Sequence, residues 1–283
     1  MTAAEDGYLL DNRRPEAGRR FTAIAELFDH WTLEHLDRLG PLTGRRCWEV
    51  GAGGPTLPLA LAERVGPTGR VLATDLDTSW LTDLPGGTVE VVRHDLTRDA
   101  PPAGQFDLVH ARLLLVHLPD RAAALTRLAA AVRPGGWLVI EDADPALQPL
   151  ACADEHGPAE VLANRIRRGF RALLAERGVD LAFGRTLPRL LRTAGLTGVT
   201  AEAYFPVTSA ACRELEAATV RQLREELTRP RPPVADPGSG HPPADREPIT
   251  AAELEQHLAN LATTELDVTT APLITCWGRR PPE

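Results

Sequence analysis

The chain contains no lysine, so all 31 of its basic residues are arginine. Its 39 acidic residues give a formal net charge of −8, and no long basic run occurs. An acidic chain of this kind matches poorly with the phosphates of nucleic acid or with an anionic membrane. We therefore expect neither nucleic acid nor a membrane as a partner. The absence of lysine beside abundant Ala, Pro and Arg is typical of GC-rich codon usage and indicates no function.

Cysteine and long apolar runs are also scarce. The four cysteines, Cys47, Cys152, Cys212 and Cys276, lie far apart and match neither a metal-ligand spacing nor a disulfide framework. No stretch approaches the roughly 18 apolar residues of a membrane helix, and the acidic N-terminal segment does not resemble a signal peptide. The sequence thus predicts a reduced, cytoplasmic protein without a bound metal.

The segment Cys47–Leu57 has the pattern of a buried strand, a glycine turn and the first turn of a helix. Gly51 and Gly53 can take a positive φ or allow close approach of a ligand. Such a turn presents backbone N–H groups and a helix N-terminus to that ligand. A dinucleotide turn would have a third glycine where this chain has Thr56. Glu49 also disfavours a dinucleotide, because a carboxylate beside a pyrophosphate is electrostatically unfavourable.

The pattern Glu49-x-Gly51-x-Gly53 resembles motif I of the class I methyltransferases that depend on S-adenosylmethionine (SAM). SAM carries a sulfonium and an ammonium, which suit an acidic strand end. The family often has a third glycine where this chain has Pro55, a residue that suits the first position of a helix. The runs FDLV at 106–109 and RPGGWLVIED at 133–142 resemble the family's fourth strand and its fifth-strand entry. The resemblance implies SAM as the cofactor and S-adenosylhomocysteine (SAH) as its product.

Acidic residues end the next two predicted strands. Asp75 follows the glycine turn by roughly 20 residues, where a carboxylate can accept hydrogen bonds from ribose hydroxyls. The resemblance places Trp80 against the adenine and Asp95 at its exocyclic amine. Asp77 is expected to share the role of Asp75 or to cap a helix that follows. Packing of Trp80 between that helix and the sheet, and a plain turn role for Asp95, remain alternatives. The predicted cofactor-binding residues are Glu49, Gly51, Ala52, Gly53, Asp75, Leu76, Trp80, Asp95, Leu96 and His110.

Two histidines are candidate general bases, because imidazole accepts a proton near neutral pH. His110 is expected at the end of the fourth strand, and His117 a turn or two into the following helix. A purely structural role is the alternative for each. Ligands bind at the carboxyl ends of strands in open parallel sheets. The predicted substrate-binding residues are Tyr8, Arg112, Asp142 and Asp144.

The alternation of strands and helices predicts an α/β fold with a seven-stranded, mostly parallel, doubly wound sheet. The last strand, within 272–277, is expected to be antiparallel. We predict a single methyltransferase domain over 1–283, with a helical cap at 1–40 and a Rossmann-like core at 41–205 and 263–283. Residues 206–262 are predicted to form an inserted helical lid, with one helix over 210–227, a proline-rich linker at 229–248 and a second helix from Thr250. Thr250 and Glu253 have the spacing of a capping box at the start of that helix. Such an insertion is expected to cover the active site and to carry substrate specificity.

The resemblance implies transfer of a methyl group to an oxygen, nitrogen or carbon nucleophile of a small molecule, in specialised (natural-product) metabolism. Methyltransferases of base amines often carry Asn/Asp-Pro-Pro-Tyr where this chain has His-Ala-Arg-Leu, so a base is a disfavoured acceptor. One alternative is a SAM-binding protein that transfers no methyl group. An NAD(P)-dependent oxidoreductase is another, disfavoured by Glu49 and Thr56. The expected partner is a small-molecule methyl acceptor, and a homodimer is an open expectation.

Overall fold

The computed structural model describes residues 9–229, 248–263 and 266–282. Within them the chain divides into two compact units. The sheet unit contains residues 28–143, 183–204 and 273–282, and the helical unit contains 9–27, 144–182 and the described part of 205–272. Tyr8, and the predicted linker apart from its two end residues, lie outside the described residues.

One seven-stranded sheet organises the sheet unit. Its strands are β1 (Arg46–Val50), β2 (Arg70–Asp75), β3 (Val89–Arg93), β4 (Phe106–Arg112), β5 (Val132–Ala143), β6 (Thr197–Tyr204) and β7 (Leu273–Arg279). The spatial order is β3-β2-β1-β4-β5-β7-β6. Strands β1 to β5 pair in parallel, and β7 runs antiparallel to both of its neighbours. The predicted α/β fold, with a mostly parallel sheet and an antiparallel last strand, is confirmed.

Helices accompany both units. They are α1 (Glu16–Arg38), α2 (Thr56–Val65), α3 (Arg121–Ala131), α4 (Pro158–Glu176), α5 (Leu187–Thr193), α6 (Ala210–Gln222), α7 (Arg224–Thr228) and α8 (Ala251–Thr263). The single helix expected over 210–227 is divided at Leu223. Segment 76–88, all of it described, forms turns, so Asp77 caps no helix and its Oδ1 accepts the N–H of Ser79 at 3.0 Å. No helix in the described part of the chain is long and apolar enough to cross a membrane.

Each unit has its own apolar core. In the sheet unit, Leu61 and Val65 lie one helical turn apart on α2 and pack with Val71 and Leu108 of the sheet. In the helical unit, a second core joins α4, α6 and α8. Burying a side chain of leucine size stabilises the folded state by about 1.5–3 kcal/mol. Each core therefore stabilises the unit to which it belongs.

Candidate functional site

The carboxyl ends of β1 to β4 lie at one edge of the sheet. Strand β1 has β2 on one side and β4 on the other, so the chain order reverses there. In open α/β sheets, ligands bind outside the strand ends at such a point. Glu49, Asp75, Asp95 and His110 all occur at or just after these ends. The predicted cofactor residues therefore share one edge of the sheet.

The glycine turn after β1 has a conformation that requires glycine. Gly51 has φ +67° and Gly53 has φ +63°, in the region that other residues avoid. The N–H groups of Gly51 and Ala52 both donate to the carbonyl of Thr74, at 2.7 and 3.0 Å. A Cβ atom on Gly51 would lie 3.0 Å from Leu114 Cδ1. Both backbone conformation and space therefore disfavour a side chain at position 51.

Asp75 links the end of β2 to this turn. Its Oδ2 accepts the N–H of Gly53 at 2.9 Å, and its Oδ1 accepts the N–H of Asp77 at 3.0 Å. Burial raises the pKa of Asp75 despite these two N–H groups. Each carboxylate oxygen has two lone pairs, so both can still accept from a ligand. The adjacent Leu76 is 50% exposed and offers apolar surface beside it.

Asp95 follows β3 and forms a local turn. Its Oδ1 accepts the N–H of Thr97 at 2.8 Å and the Thr97 hydroxyl at 2.6 Å. Burial alone would raise the pKa of Asp95, but these hydrogen bonds outweigh it and lower the pKa. Leu96 is buried, and Trp80 is half-buried in the turn after β2. Contact of Asp95 or Trp80 with adenine stays a prediction.

His110 lies between two carboxylates inside the sheet unit. Its Nδ1 is 2.6 Å from Glu49 Oε2, and its Nε2 is 3.3 Å from Glu141 Oε2. Burial of His110 would lower its pKa, but the two carboxylates outweigh burial and raise the pKa to about 9. Near neutral pH the ring is therefore a cation that donates from both nitrogens. A general base needs a free lone pair, so the prediction of His110 as a base does not fit this structure.

Three hydroxyl and imidazole groups surround the carboxylate of Glu141. Thr275 donates to Oε1 at 2.7 Å, and Thr32 of α1 donates to Oε2. Trp31 in turn donates to the Thr275 hydroxyl at 2.9 Å. Burial would raise the pKa of Glu141, but the hydrogen bond and charge of His110 outweigh it and lower the pKa. Glu141 is thus ionised and fully hydrogen-bonded at the centre of the unit.

Arg112, at the end of β4, connects this strand to α1. Its Nη2 donates to Asp29 Oδ1 at 2.7 Å and its Nη1 donates to the Thr32 hydroxyl at 3.0 Å. The side chain is only 9% exposed. Its recorded contacts are internal, and binding of substrate by Arg112 stays a prediction.

His117 belongs to a 3₁₀ helix, Leu115–His117, that follows β4 closely. The expectation that His117 lies a turn or two into the helix after the fourth strand is wrong, because α3 begins only at Arg121. Asp142 Oδ2 accepts the N–H of Val116 at 3.0 Å and so fixes this 3₁₀ helix. Burial raises the pKa of Asp142 to about 7. His117 is half-buried and remains the candidate base, whereas Asp142 is fully buried and has a structural contact.

A family model described as a methyltransferase domain matches residues 20–201, more than half of the chain. The chain belongs to this methyltransferase family. The membership suggested by the glycine turn and the FDLV and RPGGWLVIED runs is thereby confirmed, and with it SAM as the cofactor of the family.

Two curated relatives and one solved structure show how far the similarity extends. Methyltransferase str3 of Strobilurus tenacellus is 30% identical over 174 residues, covering 60% of this chain and 58% of that protein. Nocamycin O-methyltransferase of Saccharothrix syringae is 30% identical over 172 residues, covering 52% and 61%. The chain thus spans about three fifths of the length of these relatives. A Haemonchus contortus phosphoethanolamine N-methyltransferase, solved with phosphomonomethylethanolamine and SAH, has a TM-score of 0.56 at 16% identity, covering 99% of this chain and 61% of that one, and shows the fold alone.

The hydrogen-bond acceptors at the strand ends of this chain fit SAM. SAM presents cationic groups, ribose hydroxyls and an adenine amine, all of which seek acceptors. The sheet edge supplies three carboxyl groups, on Glu49, Asp75 and Asp95, and the glycines of the turn add no side chain of their own beside them. Among the described residues, Glu49 Oε1 has no hydrogen-bond partner, so one oxygen of this carboxylate stays available.

Several residues of the site could not be predicted from the sequence. Thr32, Thr275 and Leu114 reach the site through tertiary contacts, and nothing in their local pattern distinguishes them from other threonines and leucines. For Glu141 the sequence showed only that acidic residues occur at the end of the predicted fifth strand, and not which groups they contact.

Asp144 belongs to the helical unit, where its Oδ1 accepts the N–H of Leu147 at 3.2 Å. Substrate binding by Asp144 stays a prediction.

Proposed function

We propose that the chain transfers the methyl group of SAM to a nucleophilic atom of a small molecule, with oxygen as the first candidate. The observation that carries the proposal is the hydrogen bond from Gly53 to Asp75, in a glycine turn whose backbone conformation disfavours a side chain at Gly51. Oxygen is favoured because a relative of similar coverage is named as the O-methyltransferase of nocamycin. That same relative supports an acceptor from specialised metabolism.

The residues of the chain act mainly by binding and alignment. SAM itself supplies a methyl group that its sulfonium has already activated. Asp75 and the glycine turn would hold it, and Glu49 would face its positive charge. Alignment of two reactants can supply about 7–11 kcal/mol of the barrier. An acceptor that must lose a proton also gains about 10²–10⁴-fold from a base, and His117 is the candidate for that role.

The acceptor itself is proposed to be selected by residues 206–262, the predicted lid. The described part of this segment includes α6, α7 and α8 of the helical unit. Binding residues lie disproportionately often on the segments that connect the elements of a rigid scaffold. A folded variant that lacks this segment and still methylates the same acceptor would contradict the proposal.

Binding measurements test the cofactor directly. A ligand at 100 times its Kd stabilises a protein by about 2.7 kcal/mol, which a thermal-shift assay detects. We expect a shift with SAM and SAH and none with NAD(P). Asp75→Asn should weaken SAM by about tenfold or more, whereas Asp77→Asn, the matched change in the same turn, should have a much smaller effect. A shift with NAD(P) alone would reject the proposal.

Both ring nitrogens of His110 contact carboxylates, so His110 is not free to act as a base. This observation favours a second candidate function, in which the protein binds SAM without transferring its methyl group. Turnover separates the two functions. Formation of SAH from SAM in the presence of phenolic and carboxylic acceptors would exclude the second candidate, and binding of SAM without any turnover across such a panel would favour it.

A further inference from the structure

Glu141 lies in the RPGGWLVIED run but has no role in the proposed function, and it belongs to a deeply buried charged group of the sheet unit. This group, Glu49, His110 and Glu141, is called here the buried triad. The exposed fractions of its members are 2%, 0% and 0%. Glu49 lies on β1, His110 on the neighbouring β4, and Glu141 on β5. Glu49 and His110 are direct partners across the two strands.

The contacts of both ring nitrogens with carboxylate oxygens favour a doubly protonated His110. A neutral His110 that donates from Nδ1 to Glu49 would have a lone pair on Nε2, 3.3 Å from the Glu141 carboxylate. Two acceptors would then face each other inside the core, where an unpaired charge costs several kcal/mol. A doubly protonated ring instead donates to both carboxylates.

The surrounding charged groups do not replace this cation. Arg112 of β4 is already paired with Asp29 of α1, at 2.7 Å. The other groups that reach Glu141 are the uncharged hydroxyls of Thr32 and Thr275. One histidinium and two carboxylates therefore leave the buried triad with one net negative charge.

We propose that Glu141 is a positioning residue, which keeps His110 doubly protonated so that His110 holds Glu49 at the end of β1. Through this arrangement the buried triad retains one net negative charge for a cationic cofactor. The cofactor part of this inference rests on the proposed function. The protonation state of His110 is a property of the free protein and can be judged without any ligand.

Nuclear magnetic resonance of the ring nitrogens of His110 tests the protonation state. In the free wild-type protein we expect both nitrogens to stay protonated from pH 6 to at least pH 8. In Glu141→Gln, the amide can donate to Nε2, so the ring should lose a proton at a lower pH than in wild type. Glu202→Gln is the matched control, because Glu202 contacts a different histidine, His35, at 3.1 Å. It should leave the His110 titration unchanged.

Binding of SAM and SAH tests the positioning role. Glu141→Gln makes the net charge of the group zero at low pH and minus one after His110 loses its proton. We expect wild-type affinity for SAM to stay within about twofold from pH 5.5 to 8.5. The variant should bind SAM about fivefold more weakly at the low end and approach wild type at the high end. SAH lacks the sulfonium charge, so its affinity should change less than that of SAM.

A double variant separates charge balance from mere packing. His110→Gln leaves two buried carboxylates without a cation, and we expect Tm to fall by about 10 °C. Adding Glu141→Gln removes one of those charges, and the double variant should recover at least half of the loss. A protein in which Glu141 only fills space would lose further stability instead.

Any of three results would overturn the inference. They are a wild-type His110 that carries one ring proton at pH 7, a Glu141→Gln protein whose SAM affinity has the wild-type pH profile, and equal weakening of SAM and SAH at every pH. Failure of the wild-type protein to bind either SAM or SAH would reject the proposed function instead, and the His110 titration and the double variant would still decide the protonation state.

Discussion

At the scale of single residues, Gly51 combines two constraints that can be measured separately. Its φ of +67° penalises any side chain, and a Cβ would also contact Leu114 at 3.0 Å. Gly66 has a similar φ of +65°, but a Cβ there would meet nothing within 4 Å. With its ψ of −172°, Gly66 has a conformation nearly confined to glycine, so Gly66→Ala should destabilise by about 1–3 kcal/mol. Gly51→Ala should destabilise by about 1 kcal/mol beyond its own backbone cost, because Leu114 must move.

Urea unfolding of the two alanine variants gives these free energies, and titration with SAM gives the functional effect. Gly51→Ala should also weaken SAM, whereas Gly66→Ala, at the end of α2, should bind it as wild type does. Full recovery of the additional loss in Gly51→Ala on shortening Leu114 to alanine would confirm the steric cost, and no recovery would show that Leu114 yields without cost.

Asp142 gives stability a dependence on pH of known sign. Its pKa is about 7 in the folded protein, against 3.8 for an ordinary aspartate. Because the pKa is raised, the Asp142 carboxyl holds its proton more tightly in the folded than in the unfolded protein. The contribution of this proton to the free energy of unfolding is therefore fully present below about pH 3.8 and is lost as the pH rises through about 7. Asp142→Asn keeps an acceptor for the N–H of Val116 and removes the titration.

The free energy of unfolding of the wild type should thus fall by about 2 kcal/mol relative to that of Asp142→Asn between pH 5 and pH 7.5. Urea unfolding of both proteins at the two pH values measures the change. A difference between them that stays constant with pH would mean that Asp142 titrates normally in the folded state.

The sequence predicted site residues best where the signal was a local pattern. The glycines and Asp75 were readable because a strand, a turn and a second strand fix their positions over a short stretch, and Asp75 does bond the turn. The role of His110 was not readable. It depends on Glu141, 31 residues away, and a histidine looks the same in sequence whether its nitrogens are free or bound.

At the scale of elements, the start of α8 shows a reciprocal cap that the sequence predicted. Thr250 accepts the N–H of Glu253 at 3.2 Å, and Glu253 accepts the N–H of Thr250 at 2.8 Å. Hydrogen bonds from Thr250 and from Arg165 lower the pKa of Glu253 to about 2. Thr250→Ala should cost about 1 kcal/mol, measured by urea unfolding, and Thr250→Ser should restore most of it. Equal losses in the two variants would mean that the hydroxyl does not cap α8.

Hydrophobic periodicity located nearly all helices and strands, because buried faces repeat along each element. Two failures have a different origin. The break at Leu223 interrupts a pattern that remains helical on both sides, so periodicity gives no sign of it. Segment 76–88 was expected to contain a helix because strands and helices alternate elsewhere, but its residues form turns between β2 and β3.

At the scale of the whole molecule, the two compact units draw on segments far apart in sequence. Residues from three separate stretches build each of them. Local patterns do not show which stretches pack together, because this depends on contacts between distant residues. The sequence did predict that the sheet is completed by residues after the insertion, since β7 has the pattern of a final strand.

The two cores can be disturbed one at a time. Glu216 of α6 is buried in the helical unit, with Arg167 of α4 at 2.7 Å and His257 of α8 at 3.5 Å. Burial would raise the pKa of Glu216, but these two groups outweigh it and lower the pKa to about 2. Glu216→Ala leaves the guanidinium of Arg167 buried without its carboxylate, which should cost about 3–5 kcal/mol.

Hydrogen exchange read by mass spectrometry shows where that loss falls. Glu216→Ala should speed exchange in α4, α6 and α8 and leave the protection of β1 and β4 close to wild type, since local openings follow the contacts that are lost. Gly51→Ala should show the reverse pattern. Because each core is built from its own set of residues, equal loss of protection in both units from either variant would mean that they unfold as one cooperative body.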